Sequence, residues 1–167
     1  ELFLHFLKDF FFAFFVAIGF ASLFNTPKKV LLIAGLLGSL GHSLKFLLHE
    51  GIGLGLITST LSGTVLIGLL GIILAHRVHT PPVVFTMPAC ITMIPGLYAY
   101  RTMLGFIKLT DESGLSRTTQ DLENTVHYFV LTASLLFTLA IGISIGDLLI
   151  RQDSVKMLKY ESKKNKS

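Results

Sequence analysis

The sequence predicts an all-α integral membrane protein: a bundle of about five transmembrane helices, the fourth broken at a Pro/Gly motif. Three observations predict it. First, 51% of the 167 residues are hydrophobic and only 14% are charged, with a mean hydropathy of +0.70. Soluble domains carry about 25% charged residues, so a soluble chain of this size could not cover its surface. Second, charges vanish over long runs, each near the ~20 residues needed to cross a bilayer, and cluster between them. Third, the run Val83 to Ile107 places Pro88, Pro95 and Gly96 in an otherwise apolar stretch.

The first span runs roughly from Leu2 to Phe24, with an uncharged, Phe-rich core from Phe10 onward. It lacks a basic leader and a clear cleavage site, so it is expected to be retained. The second span runs from Val30 to Leu48, and the third from Gly51 to Ala75 without a charged residue. The fourth covers Val83 to Ile107 and the fifth Asn124 to Ile150. Together residues 1–150 form one transmembrane domain, and 151–167 form a basic tail. Small residues recur every fourth position at Gly55, Ser59 and Gly63, and again at Ser134, Thr138, Gly142 and Gly146. Such stripes let membrane helices approach closely, and packing is their expected role.

Charge placement gives an orientation. The formal net charge is +4. Much of the excess lies in Lys156, Lys159, Lys163, Lys164 and Lys166, directly after an apolar span. That position suits anionic headgroups and argues against a nucleic-acid partner. With five spans, Lys28–Lys29, Arg77 and the tail share one side. The more acidic loop from Lys108 to Glu123 lies on the other. The positive-inside rule then puts the C-terminus in the cytoplasm and the N-terminus outside.

The fourth span is expected to carry function. Pro88 and Pro95 each remove a backbone donor, and Gly96 suits a turn or a helix restart. Broken backbone in a membrane is tolerated only within protein or beside a water-filled cavity, and secondary transporters bind solutes at such breaks. Thr86, Thr92, Tyr98 and Tyr100 offer hydroxyls there. A packing kink is the alternative.

Titratable residues supply the remaining candidates. Gly35, Ser39, His42, Lys45 and His49 recur at three- or four-residue steps on the second span. Ionisable residues inside a membrane usually face a bundle interior or a cavity. His42 suits proton coupling or a carboxylate contact. Lys45 and Arg101 either grip a substrate carboxylate or snorkel to the headgroups. Asp147 either couples protons or pairs with Arg151 one turn on. Asn25 is expected to cap the second helix. The single cysteine, Cys90, is expected to be a packed small hydrophobe. No zinc-protease helix, nucleophile elbow or phosphate-binding loop is present, so no enzyme activity, metal or cofactor is implied.

Three stretches resemble the threonine/serine exporter family. They are VVFTMPACITMIPGLYAY (Val83 to Tyr100), AIGFASLFNTP (Ala17 to Pro27) and LLGSLGHSLKFLL (Leu36 to Leu48). The resemblance is closest to the small membrane subunit of the two-component, YjjP/YjjB-type exporters. It covers most of the chain up to about Phe106. Thr92 stands where the family often has proline, and Lys45 where arginine is familiar. The resemblance implies a subunit of a secondary exporter of small carboxylate-bearing metabolites, either threonine and serine or a succinate-type dicarboxylate. It implies a larger YjjP-like membrane subunit as partner, an oligomeric assembly, and residence in a bacterial inner membrane. Proton coupling is expected, since no phosphate-binding loop is present. On this reading Thr86, Pro88, Thr92, Pro95 and Gly96 form the broken element, and His42, Lys45 and Arg101 contact the solute. The competing reading is a structural or assembly subunit whose partner holds the substrate site.

Overall fold

The computed structural model describes residues 2–110 and 119–164, with side chains for 4–110 and 119–145. The order is α1 (Leu2–Leu23), α2 (Lys28–Phe46), a π-helical turn (Leu47–Gly51), α3 (Leu56–Val78), α4 (Val83–Ile91), α5 (Gly96–Thr110) and α6 (Thr119–Lys164). α1, α2 with its π turn, α3 and α6 each contain a stretch long and apolar enough to cross a membrane. α4 and α5 together make a further such stretch, bent by 60° at the break. The all-α membrane fold with a broken fourth element is therefore as the sequence predicts.

Small residues decide how the helices meet. α1 turns Ala13, Ala17 and Ala21 inward, all buried, while Phe11, Phe12 and Phe15 are exposed. The spacing of four puts the alanines on one face and the rings on another. A Cβ on Gly38 of α2 would come within 2.6 Å of the Ala17 Cβ and 3.4 Å of the Ala89 backbone. α1, α2 and α4 thus converge at one level. One turn further, a Cβ on Gly63 of α3 would sit 2.6 Å from the Gly41 carbonyl oxygen. Gly71 packs on Thr86, and Gly142 of α6 packs on Thr64. Backbones that approach this closely gain dispersion contacts along their length, which is what holds helices together in lipid. Around these crossings Leu37, Ile67, Phe85, Ala89, Cys90 and Met93 form the core. Cys90 is the packed small residue that the sequence suggests.

The connections follow from local chemistry. α1 ends with Asn25 in the left-handed region at φ 54. Asn25 N–H donates to the Ser22 carbonyl at 3.1 Å, and Thr26 N–H to the Ala21 carbonyl at 2.9 Å. That pairing is a Schellman stop, in which asparagine tolerates the left-handed position. Asn25 therefore ends α1 and does not cap α2, whose N-cap position is Pro27 with no side-chain cap. Gly53, at φ +78, turns the chain between the π turn and α3, a conformation open mainly to glycine.

Pro88 does not break the chain, contrary to the expectation that both prolines interrupt it. It lies inside α4, and the helix continues through it to Ile91. A proline there leaves the carbonyl four residues back, that of Val84, without its amide donor. The Thr26 hydroxyl donates to that carbonyl at 3.2 Å. The freed acceptor is thus satisfied from the end of α1. The break falls later, over Thr92–Pro95, where Pro95 has no N–H and Gly96 N–H donates to the Ile94 carbonyl at 2.8 Å.

α5 folds back on the start of α6. Gly105 packs on Thr125, Phe106 meets Phe129 edge-on at 5.9 Å, and Tyr98 stacks on Tyr128 at 6.1 Å. α6 runs 46 residues, roughly 70 Å at 1.5 Å per residue. That is more than twice the ~30 Å hydrocarbon layer. The helix is continuous across residue 150, where the sequence suggests a tail begins. The side chains of Gly146, Asp147, Arg151 and the tail lysines lie outside those described. So does most of the acidic loop, residues 111–118.

Candidate functional site

The site begins at Gly38, where three helices touch. His42 follows one turn later on α2, so it projects between α1 and the end of α4. There His42 Nε2 stands 3.9 Å from Oδ2 of Asp9 on α1. The Thr92 backbone, the first residue of the break, lies next to the imidazole, and Lys45 follows three residues on along the same face of α2. An acid from α1, two basic side chains from α2 and the opened backbone after α4 therefore share one place.

The polar groups here have unused capacity. His42 Nδ1 and the Ser43 hydroxyl are buried without a hydrogen-bond partner. Other buried hydroxyls in this bundle behave differently. Ser59, Thr60, Thr64 and Thr86 each donate to a carbonyl one turn back, at 2.8–3.0 Å. Such back-bonding is the usual way for Ser and Thr to be satisfied in a membrane helix. Lys45 makes no hydrogen bond or ion pair with the described residues, and Asp9 has only the His42 contact. At 3.9 Å that contact is too long for a hydrogen bond, and it is an ion pair only when His42 is protonated. Buried polar groups without partners are unusual. Chemically, the cluster offers carboxylate acceptors, ammonium donors and an imidazole able to do either. Those are the groups needed to hold a small charged solute or to pass a proton.

The other sequence candidates divide. Thr92 is at the break, and its hydroxyl donates to the Ala89 carbonyl at 2.8 Å. Pro95 and Gly96 close the break and open α5. Thr86 is buried against Gly71 and bonded to the Pro82 carbonyl, so it packs α4 on α3. Arg101 is engaged elsewhere: its Nη1 donates to the Tyr128 hydroxyl at 3.1 Å, and the guanidinium sits 5.2 Å from that ring. This stacks arginine within the α5–α6 pair. His49, at the end of the basic stripe, is turned away by the π turn. It bonds the Leu54 carbonyl at 2.9 Å and stands 3.9 Å from Glu50.

The sequence reading passed over Asp9. The signal was available, since Asp9, Ala13, Ala17 and Ala21 recur every fourth residue. That register puts the acid on the face that packs inward.

Comparison with known proteins agrees with the membrane fold. The profile of the family described as "Threonine/Serine exporter, ThrE" matches residues 9–149. A protein of Haemophilus influenzae described only as uncharacterized is 35% identical over 143 residues. The match covers 86% of this chain and 47% of the relative, so the chain spans about half the relative's length. No solved structure matches. A profile matched from the first-helix acid through the last span leaves a single assignment: the chain belongs to the threonine/serine exporter family of membrane transporters.

Proposed function

We propose that this chain lines the substrate path of a secondary exporter for small carboxylate-bearing metabolites, with the Asp9–His42–Lys45 cluster as its solute contact. One observation carries the reading: the charged side chains meet where the α4–α5 backbone opens at Thr92. A charged group at membrane depth costs several kcal/mol unless it meets protein partners or water. Opened backbone has the same requirement. The two coincide where a solute can supply the missing partners. Lys45 donates to the solute carboxylate, as does the backbone at the start of α5. His42, whose imidazole ordinarily titrates near neutrality, exchanges a proton with Asp9 or the solute and couples export to the proton gradient.

The family's description supports threonine and serine as substrates, and a succinate-type dicarboxylate is the other candidate. The chain's span of half the relative supports a further membrane portion or a larger, YjjP-like subunit completing the transporter. That same fact favours a second reading, in which this chain assembles the complex and the other portion holds the site. The membrane orientation stays as the charge pattern gives it, with α6 ending at the cytoplasmic face of a bacterial inner membrane.

The test is export of threonine, serine and succinate from cells making this chain with the larger subunit. His42→Ala is expected to abolish export while the protein reaches the membrane at wild-type level. Normal export by that variant would leave the assembly reading in place.

A further inference from the structure

Asp9 stands on the alanine face of α1. Its register with Ala13, Ala17 and Ala21 turns it toward α2, away from the exposed Phe11, Phe12 and Phe15. Its side chain is 39% exposed, so it is not sealed inside the bundle. No hydrogen-bond donor on the described residues meets it, and the one basic side chain within 4 Å among those residues is the titratable imidazole of His42, at 3.9 Å. Lys45 follows His42 by three residues on the same face of α2, near enough to act on it electrostatically, and has no carboxylate partner among the described residues. The site therefore holds one acid and one lysine near the same imidazole, neither hydrogen-bonded nor ion-paired to the other among the described residues.

Two unlike charges that do not pair with each other suit a ligand carrying both signs. An amino acid brings an ammonium group with three donors and a carboxylate with four acceptor positions. The first fits Asp9, and the second fits Lys45. A dicarboxylate gains at Lys45 but sets its second carboxylate against Asp9, and like charges in a poorly solvated site repel strongly. We infer that Asp9 receives the ammonium group of the solute, and that this contact sets the preference for amino acids over dicarboxylates. The inference rests on the exporter reading above, because it assumes the cluster touches solute.

Asp9→Asn and Asp9→Glu test it, with initial export rates of threonine and succinate measured side by side and membrane levels measured in parallel. Losing a charge-assisted hydrogen bond is expected to slow threonine export by about tenfold or more. Succinate export by Asp9→Asn should hold or rise, so the ratio of the two solutes shifts toward succinate. Asp9→Glu should recover most of the threonine rate. Purified wild-type protein should be stabilised against heat by threonine, and Asp9→Asn should lose that stabilisation. An unchanged solute ratio in Asp9→Asn would overturn the inference, whether both rates persist or both fall together. The exporter reading fails separately: if wild type exports neither solute, or His42→Ala exports normally, the cluster is no substrate site and the role of Asp9 falls with it.

Discussion

The level of Gly38 and the level of His42 are one helical turn apart and are built in opposite ways. At Gly38, alanine and glycine bring three backbones together, with Ala17 and Ala89 both fully buried. Along the same helices the Val84 carbonyl, orphaned by Pro88, takes the Thr26 hydroxyl. At His42 the same helices carry Asp9, His42 and Lys45, the backbone is open, and two buried polar atoms lack partners. The difference teaches where each sort of residue is affordable. Tight glycine crossings fix the helices so firmly that the next turn can hold charges in place without their bonding one another. A site that must bind and release a solute needs that reserve of unspent hydrogen bonds.

Three substitutions sharpen the contrast. The largest effect is expected at the α2–α3 glycine crossing, which adjoins His42. Gly63→Leu drives a side chain into the Gly41 carbonyl, which is backbone and cannot yield. Overpacking of this sort costs about 1–3 kcal/mol in a core with some slack, and this crossing has less. Thermal melting of the detergent-purified variant should show a large drop or no folded protein, with export lost in consequence. A variant that melts like wild type would mean the α2–α3 crossing is looser than described.

Pro95→Ala is next. It restores an amide at the break and allows α4 to extend across Thr92–Pro95 toward α5. The variant should fold and reach the membrane, yet lose most of its export, because straightening the break moves the Thr92 backbone away from His42. Full export would show that the bend is a packing feature only. Pro88→Ala should be the mildest of the three. The new amide bonds Val84 within α4 and competes with the buried Thr26 hydroxyl for that carbonyl. Net loss of one hydrogen bond's worth, about 1 kcal/mol, is the upper expectation. Melting temperature and export rate should both stay close to wild type.

Much of the fold was legible because its signals are local. Apolar runs and the Pro/Gly stretch each report on a few residues at a time. The break itself needed more than local reading. Pro88 and Pro95 look equivalent in sequence, and only the distant Thr26 hydroxyl makes Pro88 tolerable inside a helix. The placement of Arg101 was not legible either, because its partner, Tyr128, is 27 residues away. Asp9 was passed over because it stands just ahead of the charge-free core of its span, where it reads as a boundary. Its meaning comes from the register it shares with Ala13 and from a histidine on another helix. His42 was legible, since an imidazole deep in an apolar run has few bland explanations.

The most direct test of the account asks whether the break is a solute path. Cys90 is the single cysteine, so Cys90→Ala gives a thiol-free background in which Thr92→Cys places one thiol at the break. The measurement is the rate at which a membrane-impermeant maleimide labels that thiol, with and without added threonine. Labelling from the aqueous phase, slowed by threonine and restored by Asp9→Asn, is the predicted result. A thiol at residue 92 that stays unlabelled, or labels at one rate regardless of threonine, in a variant that still exports would contradict the account.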